Sequence, residues 1–329
     1  MLRKGILLWF AFFLICWGLG YPTLNRYDPR SAAGTSDSVD YYRLVTERPQ
    51  ASLGFRGYRV LVPYTAKPFY LLLASRLGSW NPVFFAMLAA NALYCSTAAC
   101  LLVSIGHQVV GDYAVALLGA TLFLLNFTIS NSHMSGMVDS GEACLMMGVI
   151  WALFANRWAA LPWLAILGAL AKETFVPLAL VFALGWWWAA GGQERLRDSR
   201  IAWIALMATA GIATVSTIQS IVSQQVVWPW SFAALMRSDR SILSGFLRSI
   251  LDHNFWFVFL WLLPLGAFQL RRMPRPWVSA SFLSALAALA LGAYVDARGG
   301  NVARSMFNVM GPLLSLSAAS MLSNAEKDK

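Results

Sequence analysis

Acidic side chains gather first in TSDSVDYYRLV, Thr35–Val45. Asp37 and Asp40 are three residues apart and Tyr41 follows Asp37 by four, so a helix sets all three on one face. Two carboxylates held together can bind a divalent cation, Mg or Mn. They can also divide into one acid of raised and one of ordinary pKa, as base catalysis requires. The same spacing fits a solvated loop helix capped by Asp37 between Ser36 and Ser38. A basic counterpart follows in FRGYRVLVPYTAKP, Phe55–Pro68. Arg56, Arg59 and Lys67 stand among aromatics at the edge of an apolar helix. Guanidinium forks take phosphate oxygens in pairs, so this segment can hold a lipid phosphate or pyrophosphate. Basic side chains that merely snorkel to ordinary headgroups give the same pattern.

Three further groups interrupt apolar sequence. In NSHMSGMVDSGEA, Asn131–Ala143, His133, Asp139 and Glu142 cluster at the start of an apolar run, and Glu142 enters it. Ionisable groups at that depth face a cavity or a partner; His133 lacks the helical-pair companion of a metal ligand. In GALAKETFVPLAL, Gly168–Leu180, Lys172 and Glu173 separate two apolar segments, and burying them requires pairing, hydrogen bonds or a water-filled site. In YVDARGGNVARSMF, Tyr294–Phe307, Arg298 and Arg304 flank Gly299-Gly300. Paired glycines let backbone N–H groups form an anion-binding concavity, and they equally make a tight turn between interfacial arginines.

The elements that position these groups follow from composition. Of 329 residues, 58% are apolar or aromatic and only 12% are charged, against about 25% charged in a soluble domain. That excludes a disordered chain, a collagen, a coiled coil and an ordinary cytosolic enzyme. Runs such as Phe84–Ile105 lack the alternation of a membrane β-barrel. The expected class is all-α, a polytopic membrane helix bundle forming one transmembrane domain over residues 1–329. A spanning helix takes about 20 apolar residues. Apolar runs at 6–19, 83–105, 113–126, 137–155, 159–171, 174–190, 201–222, 254–270, 277–294 and 305–322 give about ten spans. The 159–171 run is short and reads as a broken or tilted helix. Residues 21–82 are expected to form a long outer loop between the first and second spans. Within it Val60–Leu77, with Pro63, Lys67, Pro68 and Arg76, reads as a helix lying at the interface.

Cys16, Cys95, Cys100 and Cys144 all fall in apolar runs, with neither zinc nor disulfide-framework spacing, and read as buried small side chains. The net charge of +10 points to cytoplasmic loops and anionic lipids, and no nucleic-acid module is visible. The short basic loops Arg195–Arg200 and Arg271–Arg275 put both termini in the cytoplasm. Ten of the fifteen carboxylates then fall outside, which points to a polar cavity that opens outward.

One apolar span is followed by D-S-x-x-Y (Asp37–Tyr41), Y-R-V-L-x-P (Tyr58–Pro63), a helix beginning near Asp139, an A-K-E-T break (Ala171–Thr174) and a late Arg304 before a span containing Pro312. This order resembles the GT-C superfamily of integral-membrane glycosyltransferases and their bacterial relatives. The resemblance covers most of the chain, although each motif is short. It implies an essential acid in the first outer loop, at the position of Asp37, and an inverting transfer of a sugar from a polyprenyl-phosphate donor to a lipid or glycan acceptor. It also implies a bacterial inner membrane. Many members carry an adjacent Asp-Glu pair where this chain has Asp37 and Asp40. Glycosyl transfer needs a base for the acceptor hydroxyl and positive charge for the departing phosphate. Asp37 is then the expected base and Asp40 its helper or fellow cation ligand. Arg59, Lys172, Arg298 and Arg304 are the expected phosphate ligands, and Tyr41, Asp139, Glu142 and Glu173 line the substrate cavity. The competing expectation is a transporter or flippase of lipid-linked sugars, with Glu142, Lys172 and Glu173 as coupling groups.

Overall fold

A computed structural model describes residues 2–26, 36–78, 80–191, 199–229, 231, 241–295 and 299–321. Every regular element among them is helical. In chain order they are α1 (Leu2–Arg26), α2 (Ser36–Thr46), a short 3₁₀ segment (Ala51–Tyr58), α3 (Leu61–Leu73), α4 (Pro82–Val110) and α5 (Tyr113–Leu124). Then come α6 (Asp139–Phe154), α7 (Leu161–Ala171), α8 (Phe175–Ala189) and α9 (Ser199–Ser223). The series closes with α10 (Ile242–Leu251), α11 (His253–Phe259), α12 (Leu262–Ala267), α13 (Arg275–Tyr294) and α14 (Gly299–Ser320).

Local chemistry sets several boundaries. Asn81 caps α4, accepting from the backbone N–H groups of Val83 and Phe84 at 3.0 and 3.3 Å, with Pro82 in the first helical position. Asp112 caps α5 in the same way. The expected span at 254–270 is instead two short helices, α11 and α12, separated at Leu260–Trp261. Pro264 supplies the reason. It sits in the first turn of α12, where a missing N–H costs nothing; in a continuous helix its ring would meet the carbonyl of Leu260.

Among the described residues, four stretches are long and apolar enough to cross a membrane: Lys4–Thr23, Pro82–Val110, Ser199–Ser223 and Arg275–Tyr294. The helices α5, α7 and α8 are shorter. At 1.5 Å per residue the 11 residues of α7 reach only about 16 Å, roughly half of a hydrocarbon core. The middle of the bundle is α4, α6 and α14, whose faces are almost wholly buried. In contrast, α1 and α9 expose Ile6, Leu7, Phe10, Leu206, Ile212 and Ile221. In α10 the usual pattern is inverted: Gly245 and Ser249 face inward, while Ile242, Leu243, Phe246, Leu247 and Leu251 face out. An apolar exterior of that extent fits the candidate spans and lipid surroundings.

With no hydrophobic drive between helices in lipid, small residues and hydrogen bonds hold them. Trp9 donates to Thr97 between α1 and α4 at 3.1 Å, and Ser284 of α13 donates to the Leu178 carbonyl of α8 at 2.8 Å. Gly141 lets α6 approach α3 and α7; a Cβ there would stand 2.7 Å from Val62 and 3.4 Å from Ala171.

The expected outer loop contains more structure than a loop: α2, the 3₁₀ segment and α3. The helix α3 packs along α4 through Val62, Pro63 and Ala66, with Thr65 hydrogen-bonded to Tyr94 at 2.8 Å. Its Leu71 and Leu72 face out. Tyr41, Leu44 and Val45 of α2 join Val62, Ala66 and Met87 in a separate apolar cluster. This small core fixes α2, and with it Asp37 and Asp40, over the ends of α4 and α6.

Candidate functional site

The site forms where several helices begin. α6 starts at Asp139, α8 starts just after Thr174, and Arg304 lies in the second turn of α14. Helix N-termini carry partial positive charge, so this end of the bundle favours anions. At Lys172 the backbone is extended (φ −165°, ψ 135°), which ends α7 and turns the chain into α8. Lys172 and Glu173 therefore come from a break between two short apolar helices, not from a helix face.

Three cations and three carboxylates interlock below the surface. Lys172 Nζ donates to Asp139 Oδ1 at 2.7 Å and to Glu142 Oε2 at 3.1 Å. Arg304 Nη1 donates to the other Asp139 oxygen at 3.0 Å and Nη2 donates to Asn301. Thr174 and Asn308 donate to Glu142 at 2.8 and 3.0 Å. Beside them Arg59 grips Glu173 with two parallel hydrogen bonds, one through Nε at 2.8 Å and one through Nη2, and its Nη1 donates to Tyr41 Oη at 2.8 Å. Asp139, Glu142, Lys172, Glu173 and Arg59 are all buried. The formal charge of the six ionic groups is zero, the condition under which charges tolerate a low-dielectric interior.

Burial works against the Arg59 cation, but the Glu173 carboxylate and Tyr41, with their hydrogen bonds, together outweigh it and hold the guanidinium charged well above its ordinary pKa. Burial also raises the Tyr41 phenol, with Arg59 opposing only in part, so Tyr41 stays a neutral hydroxyl. His133, in the turn between α5 and α6, is pushed down to about 4, first by burial; Asp139 opposes the shift and Arg304 and Lys172 add to it. It is neutral at pH 7. Its Nδ1 lies 3.9 Å from the Cys95 sulfur and its Nε2 is buried without a hydrogen-bond partner.

Above the buried cluster lies an outer tier. Arg56 bridges the acid pair, with Nε 3.0 Å from Asp37 Oδ1 and Nη1 donating to Asp40 Oδ2 at 2.7 Å. These side chains are 33%, 26% and 18% exposed for Arg56, Asp37 and Asp40. Arg56 thus stands where a cation between the two acids was expected. Among the described residues, no group of three or more His, Cys, Asp or Glu is set to hold a metal ion.

Of the residues expected from sequence, Asp37, Asp40, Tyr41, Arg59, Asp139, Glu142, Lys172, Glu173 and Arg304 come together in these two tiers. Arg298 lies outside the described residues. Thr174, Asn301, Asn308 and the role of Arg56 were not foreseen. Asn308 follows Arg304 by four residues, so the same helical face signalled it. Compared with models of known families, with curated proteins and with solved structures, the chain gives no match.

Proposed function

We propose that this protein is an inverting membrane glycosyltransferase of the GT-C type. It moves a sugar from a polyprenyl-phosphate donor to a lipid or glycan acceptor at the outer face of a bacterial inner membrane. In this reading the chain crosses about ten times, counting about 20 residues per span, with both termini cytoplasmic. The observation that carries the proposal is the convergence of a partly exposed carboxylate pair with a cluster of paired cations and carboxylates and several helix N-termini, from residues between Asp37 and Asn308. A carboxylate base for the acceptor and positive charge for the phosphate are the two requirements of the reaction.

The acceptor hydroxyl oxygen attacks the anomeric carbon while the bond from that carbon to the phosphate oxygen breaks. Asp37 takes the hydroxyl proton. The polyprenyl phosphate leaves with the bonding electrons, stabilised by nearby cations. The short helices α5, α7 and α8 support a site recessed below the membrane surface, within reach of a lipid-borne phosphate. Arg304 and Arg56 are less buried than Arg59 and Lys172, so they stand nearest to an incoming phosphate.

One observation favours a carrier of lipid-linked sugars instead: Glu142, Lys172 and Glu173 are buried together, and buried ionisable groups in membrane helices mark ion and proton pathways. Purified protein in vesicles, given radiolabelled polyprenyl-phosphate sugars and candidate acceptors, separates the two. Label appearing on the acceptor, and lost in Asp37→Asn, supports the transferase. Donor crossing between leaflets with its glycosyl bond intact refutes it in favour of the carrier.

A further inference from the structure

Arg56 and Arg59 lie three residues apart and both stack on Phe55, with guanidinium carbons 5.5 and 5.0 Å from its ring centre. Their surroundings differ sharply. Arg59 is buried and locked by three hydrogen bonds to Glu173 and Tyr41. Arg56 is one-third exposed and has a single aligned bond, to Asp40; its Nε is near Asp37 but makes no hydrogen bond. Its backbone belongs to the short 3₁₀ segment, which is interrupted at Gly54, a position in the left-handed half of backbone space (φ 58°). Arg56 thus sits on the very carboxylate pair from which a proton acceptor is expected.

We infer that Arg56 is a displaceable counter-charge and positioning residue. In the resting state it holds Asp37 and Asp40 together; when a phosphate arrives it turns to the anion and releases Asp37. The identity of that anion as an isoprenyl phosphate rests on the transferase reading. The movement is a side-chain rotation at the rim, while Arg59, fixed on the same aromatic ring, anchors the segment below.

The test measures binding of farnesyl phosphate to the full chain in detergent, with inorganic phosphate in a parallel titration to separate a lipid-borne from a free phosphate. Arg56→Gln weakens farnesyl phosphate binding about tenfold, the loss of a charge-assisted contact. Arg56→Lys recovers part of it, keeping charge without the planar fork. Asp37→Asn with Asp40→Asn tightens binding about fivefold, by releasing Arg56 from a partly exposed ion pair. The triple variant separates this from simple removal of negative charge. If the acids act through Arg56, the triple variant binds no more tightly than Arg56→Gln alone.

Independent, multiplying effects in the triple variant, an unchanged affinity in the double variant, or no binding by any variant would each overturn the inference. Binding of inorganic phosphate with equal affinity and the same pattern would keep the counter-charge and discard the lipid as its source. Absence of sugar transfer with the affinity pattern intact refutes the transferase and leaves the counter-charge standing. Transfer with independent affinities does the reverse.

Discussion

Lys172 is the joint of the buried cluster, and replacing it with Met tests whether charge balance holds the site together. Its ammonium lies 2.7 Å from Asp139 and 3.1 Å from Glu142. At an effective dielectric of about 20, Coulomb's law gives gross attractions of about 6 and about 5 kcal/mol for these contacts. Desolvation of the three groups offsets most of that. The net cost of removing one partner from a buried ionic group is about 3–5 kcal/mol, because an uncompensated charge remains. Here Asp139 keeps Arg304, so the stranded charge is Glu142, left with only Thr174 and Asn308 as donors.

Glu142→Gln in the same chain returns the cluster to zero charge. Its amide group can also donate to Asn308 Oδ1, which is buried without a hydrogen-bond partner. Lys172→Met should therefore cost about 4 kcal/mol and Glu142→Gln about 2–3 kcal/mol, while the double variant costs about 3–4 kcal/mol instead of their sum. Unfolding in mixed micelles of rising denaturing-detergent fraction, followed by the fluorescence of the 15 tryptophans, measures all three. A coupling energy of about 2–4 kcal/mol is expected. Simple additivity would refute the argument, since it would mean that Lys172 and Glu142 do not sense each other's charge.

Asp37→Asn should lower transfer by about 100- to 10,000-fold, as loss of a general base does, with the melting temperature nearly unchanged because its ion pair is partly exposed; Asp40→Asn should be milder, and full activity in Asp37→Asn would remove it as the base. His133 gives an acid limb to stability. Its folded pKa of about 4 is below the ordinary 6.5, so the unfolded state takes up the proton first. Stability should fall by about 3 kcal/mol as pH drops from 6.5 to 4, and His133→Asn should flatten that limb; an unchanged limb in the variant would place its origin elsewhere. For orientation, cysteines at Ser52 and Arg271, both exposed, should differ in intact cells. An impermeant thiol reagent should label the first and not the second, and the opposite result would invert the topology and move the site to the cytoplasmic face.

The sequence made the helices legible because in a membrane protein the apolar run and the helix nearly coincide. Nine of the runs read from hydropathy correspond to single helices, from α1 through α14. The exception at 254–270 shows the limit: hydropathy does not register a proline inside an apolar run. The site was legible for a related reason. Charges such as Asp139, Glu142, Lys172 and Glu173 are so costly in apolar sequence that their presence marks a cluster. What composition could not give was the pairing. Arg59 and Glu173 are 114 residues apart, and no spacing rule connects an interfacial loop to a helix break.

That pairing changes which cations are free to act. Arg59 and Lys172 were expected to bind phosphate because they are basic groups beside apolar helices. In the fold each is already engaged with carboxylates in a neutral, buried arrangement. A phosphate that displaced Glu173 from Arg59 would strand a second buried anion, at the cost that makes broken buried pairs destabilising. Arg56 faces a smaller penalty, since its carboxylate partners are partly exposed, whereas Arg304 is tied to the buried Asp139. Arg56 can exchange its partly exposed carboxylate contacts for another anion, and Arg304 retains partial access to solvent. The sealed tier is thus better suited to fix geometry, and the outer tier to do chemistry. The proposed transfer by preorganised charge needs both, since donors aimed at a leaving phosphate are effective only if something rigid aims them. The network of Lys172, Asp139 and Glu142 supplies that rigidity beneath the acid pair and Arg56.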